Sequence, residues 1–401
     1  MKWREVPLEE VVDEIVGGGT PSKAKKEYWN GDIPWCSVKD MKDSQYYLSK
    51  TQEMITEAGL KNSSAKLIKK GTVITATRMG LGRVFINRVD MSINQDLKAL
   101  IPNEKIDRCF LMWALSFKKG EIIMQGRGAT VTGITVPMLK KILLPLPTLS
   151  IQEKIAEILN SHEFLIEKNQ RQIELLEEVI QRIYKEWFVD FKFPGHSVAK
   201  FINGIPERWK KGQARDFFHI TIGKTPPRVQ REYFLENGKG VPWVSISDMG
   251  NTSVFLEKTK EALTEDAIKK CNVKVVPKGT IFLSFKLTIG RIGIATADMC
   301  SNEAIAHFHI SEETLRVYAY CYLKNFEYDT LGNTSSISKA VNSKKIKAMP
   351  FVIPDEVILR NFSDILIPVF RKIRNLQKQI DLLTEARDRL LPKLMSGEIE
   401  V

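Results

Sequence analysis

The feature that most constrains this chain is that it contains itself twice. Lys70-Gly71-Thr72-Val73-Ile74 through Gly82-Arg83-Val84 aligns at a constant offset of 208 with Lys278-Gly279-Thr280-Ile281-Phe282 through Gly290-Arg291-Ile292. Asp90, Met91 and Asn94 find Asp298, Met299 and Asn302 in the same register. Upstream, Gly19-Thr20-Pro21 with Pro34-Trp35 and Asp40-Met41 matches Gly223-Lys224-Thr225-Pro226 with Pro242-Trp243 and Asp248-Met249. Whatever fold the first half adopts, the second half must adopt again.

Each copy ends in a long polar stretch with a narrow apolar seam. From Leu149 to Phe191 there is no Pro or Gly, and Ile166, Ile173, Leu176, Ile180, Ile183 and Trp187 recur at steps of three, four and seven. That spacing predicts one helix with a single buried stripe. At 1.5 Å per residue, about forty residues make a rod of roughly 60 Å, which suits a spacer. The seam returns 207 residues later at Ile373, Leu376, Ile380, Leu383, Arg387, Leu390 and Leu394. Asn169 and Arg387 interrupt the two seams at different heights. Pro368 predicts a break or kink in the second helix and Pro392 its end.

Gly-bounded β-branched runs at 71–77, 83–89, 279–284 and 291–296 read as strands, and 106–118 and 313–325 as helices. Each lobe is therefore mixed α and β. The expected division is a first lobe (1–148), a central long helix (149–191), a connector (192–206), a second lobe (207–354) and a C-terminal helix with tail (355–401).

Charge follows the same division. Residues 1–150 carry 23 Lys and Arg against 16 Asp and Glu, and residues 203–350 carry 22 against 15, so each lobe is +7. Residues 151–202 are −2 and 351–401 are neutral. A generic basic protein would not sort its charge this way, although an excess of this size is by itself a weak nucleic-acid signal. No run of ~18 apolar residues offers a membrane span. The start, MKWREVPLEE, lacks a signal-peptide apolar core. The five cysteines are scattered without a C-x-x-C pair, which predicts reduced thiols. A cytoplasmic location is the expectation.

Several motif fragments fail on their own chemistry. Gly223-Lys224-Thr225 resembles the end of a phosphate-binding loop, but Phe218 stands where a Gly is needed and Pro226-Pro227 follows where a helix must begin. Gly80-Leu81-Gly82 lacks the third glycine of a dinucleotide loop and reads as a tight turn. His307 and His309 share a strand face without a third ligand at recognisable spacing, so packed or hydrogen-bonded histidines are expected. There is no [DNS]-P-P-[YFW] run to hold a target base for methylation, and no acidic-acidic-lysine nuclease cluster. No catalytic centre is expected, and no metal site.

Basic and amide side chains remain at corresponding places. Lys and Arg neutralise phosphates, while Arg, Asn and Gln hydrogen-bond guanine or adenine edges. The DNA-contact candidates are Thr20, Lys23, Lys39, Arg78, Arg83, Asn94, Arg127 and Thr130 in the first lobe. In the second they are Lys224, Thr225, Arg228, Lys286, Arg291, Asn302, Asn333 and Ser335. The polar loops 126–133 and 332–338 differ most between the lobes and are the expected base readers, since positions that read sequence should diverge.

Taken in order and twice over, these elements resemble the specificity subunit of a Type I restriction-modification system. The resemblance spans essentially the whole chain. It rests on G-x-T-P with its P-W and D-M, the K-G-T and G-R turns, and the P-L-P helix start. It rests also on Tyr184-Lys185-Glu186-Trp187-Phe188-Val189-Asp190-Phe191 and on Leu390-Leu391-Pro392-Lys393-Leu394-Met395-Ser396-Gly397-Glu398-Ile399. It implies an α+β fold: two repeated mixed α/β target-recognition domains separated by two long antiparallel α-helices, a coiled-coil-like spacer. Each domain would read one half of a bipartite double-stranded DNA site. The chain itself would be non-catalytic and without a cofactor. Two modification (methyltransferase) subunits would bind S-adenosylmethionine and methylate adenine N6, and restriction/translocase subunits would cleave DNA using ATP and Mg. The competing readings are a self-contained DNA methyltransferase or nuclease, and a repeat scaffold that binds protein.

Overall fold

The structure is a computed structural model that describes residues 3–43, 45–127, 132–236, 239–250, 253–332 and 341–401. The chain divides into two compact units, Met1–Glu167 with Ile380–Val401, and Lys168–Gln379. Each holds one lobe together with part of each long helix.

In the first unit a five-stranded sheet runs in the order Val12–Gly17, Leu97–Pro102, Val73–Ala76, Val84–Asn87, Tyr47–Leu48. All residues of the two strands Val73–Ala76 and Val84–Asn87 are buried. They are mostly apolar because both faces are covered, and their two polar side chains, Thr75 and Asn87, donate to backbone carbonyls. On one side Val73, Val84 and Ile86 pack with Phe110, Trp113 and Leu115 of helix Arg108–Phe117. On the other, Ile74, Ala76 and Phe85 pack with Cys36, Met91 and Ile93 of a second, four-stranded sheet.

The second unit repeats this sheet as His219–Ile222, Ile305–His309, Ile281–Ser284, Ile292–Ala295, Phe255–Leu256. The framework bonds repeat with it. Asp40 accepts from the Ser37 N–H at 2.8 Å and the Gln52 N–H at 2.7 Å; Asp248 accepts from Ser245 at 2.9 Å and Lys260 at 3.2 Å. The matching K-G-T turns place Gly71 and Gly279 at φ +82° and +89°, which suits only glycine without strain. Here the aspartates and glycines of the repeat fix turns.

The first long helix spans Leu149–Tyr184, and Lys185–Val189 then form a π-helical turn. The helical stretch expected to reach Phe191 thus ends at Val189. This turn places Phe188 in an aromatic cluster, 4.7 Å from Phe362 and 4.9 Å from Tyr318. The second helix is continuous over Glu356–Ser396, so Pro368 does not break it and the stop expected at Pro392 does not occur. Both prolines lie on the exposed side, as do Asp364 and Asp388 four residues earlier, whose carbonyls water can satisfy. The connector contains a small hairpin, Phe201–Ile202 with Ile205–Pro206, turned by Asn203 and Gly204 at φ +51° and +81°.

All five cysteines are free. Among the described residues no helix is long and apolar enough to cross a membrane.

Candidate nucleic-acid interface

Strand register shows which candidates share an end of each lobe. Gly17 faces Lys98 and Leu97 faces Ala76, so residues 18–23, the 77–83 turn and the 94–96 turn meet at one end of the first sheet. In the second lobe Ile222 faces Ala306 and Ser284 faces Ile305, which brings residues 223–228, 285–291 and 302–304 together in the same way. The two loop ends share a hydrogen-bond frame. Trp35 Nε1 donates to the Gly19 carbonyl at 3.0 Å, and Trp243 Nε1 to that of Lys224 at 3.3 Å. Ile134 N–H donates to the Thr77 carbonyl at 2.9 Å, and Val341 N–H to that of Phe285 at 3.0 Å.

Beside this frame each lobe builds a cation–aromatic cluster. Lys23 Nζ lies 3.3 Å from the Trp29 ring centroid and 5.2 Å from Trp35, and pairs with Glu53. The Arg228 guanidinium lies 4.1 Å from Phe234 and 4.7 Å from Trp243, and meets Glu261 at 2.6 Å. The aromatic faces and the carboxylate hold each cation in place and offset its charge. Trp29, Phe234, Glu53 and Glu261 were not singled out from sequence, although Trp35 and Trp243 were.

The other candidates divide by what they touch. Arg83 donates to the Met41 carbonyl at 2.9 Å and to both Asp43 oxygens at 3.2 and 2.9 Å. Hydrogen bonds from Lys119 and Arg83 hold the Asp43 carboxyl below its usual range. Arg291 donates to the Ile246 carbonyl at 2.7 Å. Asn94 and Asn302 accept from the N–H groups two residues on, Asp96 at 3.2 Å and Ala304 at 3.1 Å. These four side chains are engaged by their own lobe.

Arg78 is open: its side chain is 55% exposed and its nearest carboxylate, Asp96, is 3.9 Å away. Its counterpart Lys286 is half-buried at the same turn, and Lys39 and Lys224 are exposed. Arg127 is exposed, and its backbone bridges to Gly133, which also bridges to Arg78. Thr20 donates to Gln95 and Thr225 to Glu303. Gln95 and Glu303 are exposed partners that sequence reasoning passed over, one step beyond the matched Asn94 and Asn302. Thr130, Asn333 and Ser335 lie outside the described residues, as does most of the two polar loops.

Two matching loop ends on a duplicated frame are what a reader of two short, different sequences requires. A family profile described as "Type I restriction modification DNA specificity domain" matches residues 1–178 and again 206–385. The chain belongs to this family. Recognition of DNA sequence is the role of the Type I specificity family, and catalysis lies in partner subunits. That sets aside the self-contained methyltransferase or nuclease.

The Type I restriction enzyme MjaIX specificity subunit of Methanocaldococcus jannaschii is 30% identical over 408 residues, covering 97% of this chain and 92% of that protein. The Type I restriction enzyme HindI specificity subunit of Haemophilus influenzae is 23% identical over 414 residues, covering 85% and 89%. The crystal structure of a Type I restriction-modification S subunit from M. genitalium superposes with a TM-score of 0.60 at 18% identity, covering 98% of this chain and 96% of that one. The fold is therefore that of the S subunits, with two specificity domains in one chain.

Proposed function

We propose that the chain reads a split, asymmetric double-stranded DNA site, one half-site per lobe, and directs partner subunits that act on it. The observation that carries this reading is the loop end built twice on one hydrogen-bond frame with different exposed side chains. The basic excess confined to the lobes supports it, since phosphate neutralisation supplies affinity that base contacts then direct.

In this reading the lobes occupy 1–148 and 207–354, and the long helices form an antiparallel spacer that sets the gap between half-sites. Pairings within the second unit support the antiparallel sense. Asn169 meets Gln379 at 3.3 Å, while further along the first helix Tyr184 lies 6.5 Å from Phe362, earlier in the second. Two modification subunits supply S-adenosylmethionine and adenine-N6 methylation, and restriction/translocase subunits supply ATP- and Mg-dependent cleavage, all in the cytoplasm. This chain carries no cofactor of its own.

The test is methylome sequencing of a host carrying this gene with its neighbouring methyltransferase gene. A two-part methylated motif is expected, and removing matched turns from both long helices should change the gap while leaving both half-sites intact. A single contiguous motif would overturn the reading.

A further inference from the structure

The turns after Asn94 and Asn302 carry Gln95 in the first lobe and Glu303 in the second, both exposed. Their backbones are set alike, since each Asn side-chain oxygen accepts from the N–H two residues on. Their side chains are also aimed alike, by the Thr hydroxyl of each G-x-T-P segment: Thr20 donates to the Gln95 amide oxygen and Thr225 to the Glu303 carboxylate. Only the terminal group differs. An amide presents a donor and an acceptor side by side, whereas a carboxylate only accepts.

The carboxylate is the informative half of the pair. Burial pulls the Glu303 carboxyl upward, but the Thr225 hydroxyl, Lys286 and Arg228 outweigh it, so the group sits below its usual range and is ionised at neutral pH. A negative charge on the loop end of a lobe whose net charge is +7 is repelled by duplex phosphates. Lys286 and Arg228 offset that repulsion in part, and a base-edge donor meeting the carboxylate would offset it further while reading the base. In the major groove Glu accepts from cytosine N4, while Gln suits the N6–H and N7 pair of adenine.

We propose that Gln95 and Glu303 are equivalent base-reading residues, Gln95 bonding an adenine in one half-site and Glu303 a cytosine in the other. Thr20 and Thr225 are positioning residues that fix the two side chains before DNA arrives. The proposal rests on the split-site reading above and adds the bases to it.

The test uses the full chain assembled with its modification subunits. Methylome sequencing supplies the wild-type motif, which must hold an adenine in one half and a cytosine in the other. Gln95→Glu should convert one A·T position of one half-site to a C·G preference and leave the other half unchanged; Glu303→Gln should convert a cytosine position of the other half to adenine. In titrations against duplexes carrying each base at that position, the preference should move by about ten- to a hundred-fold. Unchanged motifs in both variants overturn the proposal. So does equal loss of affinity for all four bases by a variant that melts like wild type, because that marks a structural or phosphate role. If a swapped variant melts early, Gln95→Ala and Glu303→Ala decide: loss of preference at one position supports the pairing, and an intact preference overturns it. A wild-type complex that methylates no split motif would instead overturn the split-site reading itself.

Discussion

Arg387 of the second long helix donates to the carboxylate of Glu163 on the first, with the two side chains only 1% and 4% exposed. Arg387 also donates to Asp388 at 3.0 and 2.9 Å, and its guanidinium lies 4.9 Å from the Tyr46 ring. The interruption of the seam at Arg387 is therefore matched by Glu163, while Asn169 finds Gln379. A buried pair of this kind adds little net stability, because desolvation offsets its attraction. Burial indeed pushes the Glu163 carboxyl above its usual range despite Arg387.

Breaking one side of that pair should cost far more than replacing both. Arg387→Met strands a buried carboxylate, and about 3–5 kcal/mol of stability should be lost. Glu163→Leu with Arg387→Met should recover most of it. The sign with pH follows from the direction of the shift. A raised carboxyl pKa means the folded state holds its proton more tightly, so the deficit of Arg387→Met should shrink on acidification as Glu163 protonates, and grow as pH rises. Urea unfolding of the three proteins across pH checks both points, and a double variant no better than the single one would refute the first.

His307 gives the second lobe its own acid sensitivity. It is fully buried, with Nε2 2.7 Å from the Ser301 hydroxyl and Nδ1 3.1 Å from that of Thr221. Burial, and secondarily His309, pulls its pKa down from 6.5 to about 3. Below 6.5 the unfolded chain takes up a proton that the folded chain refuses until about 3. Stability from the neutral imidazole is thus complete above that window and is lost as pH falls through it, with a slope approaching about 1.4 kcal/mol per pH unit. His307→Gln should flatten this part of the profile, and urea midpoints measured from neutral pH downward would show it. Parallel profiles for the two proteins would count against the assignment.

Much of this was readable because the chain states it twice. The constant offset of 208 located the strands Val73–Ala76 and Ile281–Ser284 and the glycine turns beside them, since turn chemistry and buried runs are local properties. Pro392 misled, and Pro368 did not break the helix, because a helix tolerates proline where the freed carbonyl faces water, and exposure is a tertiary property. Glu163 was overlooked because its partner lies 224 residues away. For the same reason Arg83 looked like an open DNA contact: its acceptors Met41 and Asp43 come from another turn. Asn203-Gly204 was legible as a hairpin but was absorbed into a connector by its glycine and proline neighbours.

Two non-glycine residues sit in the left-handed region at the same turn of each lobe, Met79 at φ +51° and Leu287 at φ +63°. They are 64% and 70% exposed, so little packing repays the strain. An L-residue in this region costs roughly 1–2 kcal/mol, part of which glycine returns through its looser unfolded chain. Met79→Gly and Leu287→Gly should each therefore raise stability by about 0.5–1 kcal/mol. Thermal melts without DNA provide the measurement, and a lowered melting temperature would mean that these side chains are held by contacts absent from this structure.

Arg78 and Arg83 stand five residues apart on one turn and should behave oppositely. Arg83 is bound at three points within its lobe, so Arg83→Ala should cost about 1–3 kcal/mol of stability, as charge-assisted bonds do. Its effect on DNA affinity in a folded complex should be small. Arg78 is mostly in solvent beside the loop end, with only a distant carboxylate, so Arg78→Ala should leave the melt unchanged. It should weaken binding to all sequences alike and reduce the slope of log affinity against log salt by about 0.9, the amount for one phosphate contact. Titrations of both variants at several salt concentrations separate the two roles. An Arg78→Ala complex with the wild-type slope would remove that residue from the phosphate contacts, and a changed slope in a stably folded Arg83→Ala complex would place Arg83 among them.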